Sequence, residues 1–169
     1  MADIKYTIEK RLEKLLGQPL NNIGRSGNML WIEFGKEIEW KNHRGDIEKR
    51  SYYALDVQTA WRFTEANNIL VAEKDFYIAS SKNSVEFDDY FEWDTPGANR
   101  FDEIVRKNKD QLTSLHIARV IADNYGGLRI KFDRDYVLEI FPDDSLKEEY
   151  WRFMIFDNPS KHFVVFEDE

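Results

Sequence analysis

Apolar residues at Ile4, Ile8, Leu12, Leu15 and Leu16 recur at the spacing of one helical face. Asp3 stands where a cap is needed and Gly17 with Pro19 closes the run, so the first element is a helix. Residues 21–28 are polar and glycine-bearing and read as turns. Met29-Leu-Trp-Ile-Glu-Phe34 reads as a strand with residues 37–41 as its neighbour, and residues 43–50 as a charged loop. From 53 to 63 a strict alternation sets Tyr53, Leu55, Val57, Trp61 and Phe63 on one face and Asp56, Gln58 and Arg62 on the other, which predicts one long, half-exposed strand. Ala66-Asn-Asn68 then turns the chain into a hairpin partner at 69–72.

Ser80-Ser-Lys-Asn-Ser84, an acidic and aromatic tract, and Pro96-Gly97 make residues 80–98 the linker. Phe101, Ile104, Val105 and Leu112 mark a second helix beyond it, and residues 115–122 are apolar on both faces, as a central strand is. Asn124-Tyr-Gly-Gly127 precedes short strands at 128–132, 136–141, 151–156 and 162–166. The two halves carry matching pieces in the same order: Trp31-Ile-Glu-Phe34 with Arg129-Ile-Lys-Phe132, and Trp61-Arg-Phe63 with Trp151-Arg-Phe153. The expected fold is a single α+β domain over 1–169, an antiparallel strand-rich arrangement with two helices packed on one side. Its pseudo-repeated helix-plus-meander halves are 1–79 and 99–169, joined by 80–98.

Lys and Arg number 24 against 32 Asp and Glu, giving a formal charge of −8 and a pI near 5.0, the opposite of a nucleic-acid binder's footprint. With no cysteine there is no disulfide, thiolate nucleophile or cysteine-held metal. The apolar runs are far below the roughly 20 residues of a membrane helix, and the N-terminus lacks the apolar core of a secretory signal, so a cytoplasmic protein is expected. His43, His116 and His162 share no ligand spacing, and His116, among apolar neighbours, reads as a core residue. Neither a nucleophile elbow nor a phosphate loop is present. Asp143-Asp144 with Glu148-Glu149 reads as capping of a helical turn. No catalytic, cofactor-binding or metal-binding residue is expected, and catalysis is the less expected use of the chain.

Two surfaces remain as candidates. The tract Glu86, Asp88, Asp89, Phe91, Glu92, Trp93 and Asp94 combines carboxylates with aromatic anchors, as suits a basic protein partner. The alternative is a small-molecule or carbohydrate site, or an enzyme's cleft, between the halves, lined by Trp31, Arg62, Arg129 and Arg152. Each arginine could instead pair with an acid on a neighbouring strand. A homodimer through open sheet edges is a further option.

Gly126-Gly-Leu-Arg-Ile-Lys-Phe132, Leu138-Glu-Ile-Phe-Pro142, Asp144-Ser145 and Trp151-Arg-Phe153, with Val57-Gln58 and Trp61-Arg62, resemble the motif series of a group of small uncharacterised bacterial proteins. That resemblance implies a bacterial cytoplasmic source and carries no catalytic residue over. In size and acidity alone the chain is similar to immunity proteins, which neutralise toxins. The resulting expectation is a non-catalytic, acidic protein-binding module, of which an immunity-type inhibitor of a basic toxin would be one form.

Overall fold

The structure, a computed structural model, describes residues 3–82, 91–157 and 162–166. Helix α1 (Ile4–Leu12) runs into a 3-10 turn (Glu13–Leu15), and the Asp3 side chain accepts from the Tyr6 backbone N–H at its start. Five strands follow: β1 (Leu20–Ser26), β2 (Met29–Lys41), β3 (Ile47–Val57), β4 (Ala60–Glu65) and β5 (Asn68–Ala72). A 3-10 turn (Glu73–Tyr77), α2 (Arg100–Lys107) and α3 (Lys109–Leu112) lead to β6 (Ile117–Ala122), β7 (Leu128–Phe132), β8 (Tyr136–Phe141), β9 (Trp151–Ile155) and β10 (Phe163–Val165). The fold is α+β, with two five-stranded antiparallel sheets.

The sheet orders are β1-β2-β3-β9-β10 and β6-β7-β8-β4-β5, the second read from its β6 edge. Each strand of one sheet therefore corresponds to the strand five places away in the other. Each half builds a three-stranded meander and lends its last two strands to the opposite sheet. The matched sequence pieces fall on corresponding strands, β2 with β7 and β4 with β9. At the seam, Leu20 N–H donates to Leu115 O (2.9 Å) and Ile117 N–H to Gln18 O (3.0 Å), a reciprocal pair about the Pro19–His116 bridge.

Alternate residues point inward, and the two inner faces form one core with Ile8 and Leu12 of α1 and Phe101 and Ile104 of α2. Phe34 of the first sheet stacks on Phe132 of the second at 6.4 Å, and Phe132 meets Phe63 at 5.4 Å. Helix α1 contacts β6, and α2 contacts β5 and β1, so three of the four edge strands carry a helix.

Several local expectations are corrected. Residues 21–28, read as turns, are largely β1, whose Leu20 and Ile23 are buried while its low strand propensity is overridden by pairing with β2. The two pieces at 29–34 and 37–41 are a single strand kinked by a bulge at Gly35, whose φ of +86° suits glycine. The charged loop narrows to a turn, because 47–50 open β3. The alternating run 53–63 is two strands in different sheets. It breaks at Gln58-Thr59, where Gln58 N–H donates to Tyr150 O and Thr59 Oγ1 to Phe141 O, and Thr59 stays buried so the alternation continues across the bend. Strand β6 is at an edge, apolar on both sides because α1 lies against it. His116 is not a core residue: its side chain is 55% exposed, 3.8 Å from Asp133. Residues 142–150 form no helix, and Asp144 accepts from Leu146 N–H and the Tyr150 hydroxyl.

Candidate functional site

The alternation that buries Leu30, Ile32 and Phe34 turns Trp31 and Glu33 of β2 to the outer face of the first sheet. Register places Asp56 of β3 opposite Trp31, and Arg152 of β9 opposite Asp56. The next row is Glu33, Ala54 and Met154. On the second sheet the corresponding row is Arg129, Glu139 and Arg62. Both rows have a carboxylate at the centre and an arginine on one side. They differ in charge at one position, where Arg129 of the second sheet corresponds to Trp31 of the first.

That difference decides the electrostatics. Arg62 and Arg129 both hydrogen-bond the Glu139 carboxylate, which is only 13% exposed. Burial pushes Glu139 up, but the two guanidinium hydrogen bonds and their charge outweigh it and hold the carboxyl below its ordinary 4.5. Asp56 has no such clamp. Arg152 faces it, but the guanidinium grips Glu149 at 3.0 and 2.7 Å. Trp31 supplies no cation, and its ring lies over Gly24, where a Cβ would overlap it. Among the described residues no ion pair or side-chain hydrogen bond reaches Asp56 or Glu33. Burial raises Asp56 above its ordinary 3.8; the charges of Arg152 and Arg50 offset this in part, and Glu149 adds to it. Burial likewise raises Glu33, with Arg50 opposing and Asp56 reinforcing.

Trp31, Glu33, Arg50 and Asp56 line a groove of about 530 Å³. Its floor carries Met29, Trp31, Met154 and Phe156 beside the carboxylates. One wall is the β2–β3 hairpin beyond the Gly35 bulge, which has no counterpart in the second half: β2 has 13 residues and β7 has 5. The hairpin is braced by Arg50, whose guanidinium lies 5.0 Å from the ring centroids of both Trp40 and Phe156. Aromatic and methionine surface next to under-neutralised carboxylates suits recognition of a cationic, partly apolar segment.

Comparison with protein-family models, curated proteins and solved structures returns no match.

Of the residues singled out from sequence, Trp31 and Arg152 share the outer face of the first sheet, while Arg62 and Arg129 lie together on that of the second. The four do not line one cleft between the halves, because the packed core separates the two faces. Both Trp-Arg-Phe arginines are engaged by acids, Arg62 by Glu139 and Arg152 by Glu149. In the acidic tract, Glu86, Asp88 and Asp89 lie outside the described residues. Trp93 packs on Tyr77 at 5.0 Å and under Arg25, and Asp94 pairs with Arg25 at 2.8 Å, so both fasten the chain to its own domain. Glu92 is exposed and Phe91 half-buried. Sequence reading missed Glu33 and Asp56 as site residues, although aligning the two halves strand by strand shows the one row position at which a tryptophan stands for an arginine.

Proposed function

We propose that this protein is a non-catalytic, acidic binding module that recognises a basic protein partner on the outer face of the β1-β2-β3-β9-β10 sheet. The observation that carries this reading is the contrast between corresponding carboxylates: Glu139 is neutralised by two arginines of its own chain, and Asp56 has no ion pair among the described residues and lies in a groove beside Trp31, Met154 and Phe156. A carboxylate whose ionisation opposes folding is explained by a binding role and not by stability. The net charge of −8 draws a basic partner toward the surface, an effect worth about 10- to 1000-fold in association rate. An inhibitor of a basic toxin is one protein of this description.

The test is affinity capture from lysate of the parent cells with wild-type protein, a Glu33→Lys/Asp56→Lys variant and an Asp88→Lys/Asp89→Lys/Glu92→Lys variant, at low and moderate salt. We expect one stoichiometric basic protein that the groove variant loses at both salt levels. The tract variant should retain it with a flatter salt dependence. A wild type that retains no protein, or a groove variant that retains the same partner equally well, contradicts the proposal.

A further inference from the structure

The row on the second sheet shows what the first lacks. Glu139 is held from both sides, by Arg129 on β7 and Arg62 on β4, the two guanidiniums sharing its two oxygens. In the corresponding row Arg152 takes the place of Arg62, and Trp31 occupies the place from which Arg129 reaches Glu139. The second guanidinium is missing on one side of Asp56, and the Trp31 ring is drawn away over Gly24. Glu33 stands diagonally across from Asp56 on the same face, at a spacing of about 7–8 Å in such a pair. Counting the charges that line the groove or act on its carboxylates, Glu33, Glu48, Asp56 and Glu149 are set against Lys49, Arg50 and Arg152, which leaves one negative charge in excess. Arg50 does not fill the place, since its guanidinium lies 5.0 Å from the ring centroids of both Trp40 and Phe156 and 3.8 Å from Glu48.

Resting on the reading above, we infer that the partner supplies the missing guanidinium: an arginine side chain seated between Asp56 and Glu33, with its plane against Trp31, gives Asp56 what Arg129 gives Glu139 on the second sheet. Arginine fits better than lysine because a planar fork can bridge two carboxylates and stack on an indole at once, whereas an ammonium is a single strongly hydrated point charge. Met154 and Phe156 would take the apolar side chains flanking that arginine.

The direct probe is a capped tripeptide, acetyl-Ala-Arg-Ala-amide, against its uncharged citrulline counterpart, followed by two-dimensional 1H–15N NMR of the full chain. The arginine peptide should shift the Trp31 indole and the backbone amides around Ala54 and Asp56 saturably. The citrulline peptide should bind about tenfold more weakly or less, as loss of one charge-assisted pairing predicts. Trp31→Arg, which supplies the guanidinium from within the chain, should abolish peptide binding while raising the melting temperature, and Trp31→Phe should retain arginine-over-citrulline selectivity. Equal shifts from the two peptides, no saturable shift at Trp31, or unchanged binding to Trp31→Arg overturns the inference. Capture of the basic partner by Trp31→Arg separates the two claims. If that variant still captures the partner, the arginine site falls and the binding-module reading stands; if the wild type captures none, the reading itself falls.

Discussion

Asp56 and Glu139 occupy corresponding places and are predicted to respond in opposite senses to removal. Asp56 lies above its ordinary 3.8 in the folded chain, so the stability it contributes is complete below about pH 3.8 and is lost as pH rises through the raised value. Asp56→Asn should therefore raise stability at neutral pH by about 0.5–1 kcal/mol, the scale of surface-charge optimisation, and should abolish partner binding. Thermal unfolding of the two proteins across pH 4 to about pH 7 checks this, with the gap between them widening toward neutral pH. Glu139→Ala leaves Arg62 and Arg129 facing each other without their carboxylate. Because the two guanidiniums are 44% and 51% exposed, the expected cost is only about 1 kcal/mol, read from denaturant unfolding.

At the scale of elements, the β2–β3 hairpin is an addition to the repeat. In the second half Phe132 and Tyr136 are joined by three residues, Asp133-Arg-Asp135; in the first half the corresponding Phe34 and Tyr53 are separated by residues 35–52. Replacing 35–52 with Asp-Arg-Asp should leave a cooperatively folded protein and remove the groove wall with partner binding, measured by circular dichroism and capture together. Helix α2 makes a separate prediction. Buried Glu103 is held down to about 2, first by the Lys107 ammonium at 2.6 Å and then by the hydroxyl and N–H of Ser81. Its contribution is present above about pH 4.5 and is lost as pH falls toward about 2, so Glu103→Gln should flatten the acid limb of the stability profile over that window. Elements such as these were legible from sequence where pattern and local chemistry agree, as in α1, in the turn at Ala66-Asn-Asn68 and in the short strands of the second half. What escaped sequence reading depends on distant partners. Residues 53–63 keep one unbroken parity while crossing between sheets, and β1 is a strand only because β2 pairs with it. The site was half legible: Trp31 and Arg152 could be named, but Asp56 becomes distinctive only once β3 is seen between β2 and β9.

Across the whole molecule the halves are interlocked rather than placed side by side, since each sheet takes two strands from the other half. Residues 1–82 and 91–169 produced as two separate chains should therefore copurify as a one-to-one complex with the melting profile of a single cooperative unit, whereas either chain alone should lack a folded monomer's dispersed NMR spectrum. Independent folding of either piece would contradict the exchange of hairpins. The same pairing of halves frames the functional claim, because it lets one outer face act as an internal reference for the other. The second sheet closes its charged row with its own residues, and the proposed function assigns the open row of the first to a partner. The most direct measurement is carboxyl 13C NMR titration of Asp56 and Glu139 in the free protein. Asp56 should titrate above its ordinary 3.8 and Glu139 below its ordinary 4.5. An Asp56 carboxyl that titrates at or below its ordinary value would mean that its charge is already compensated within the chain, and the first sheet would have no place to offer.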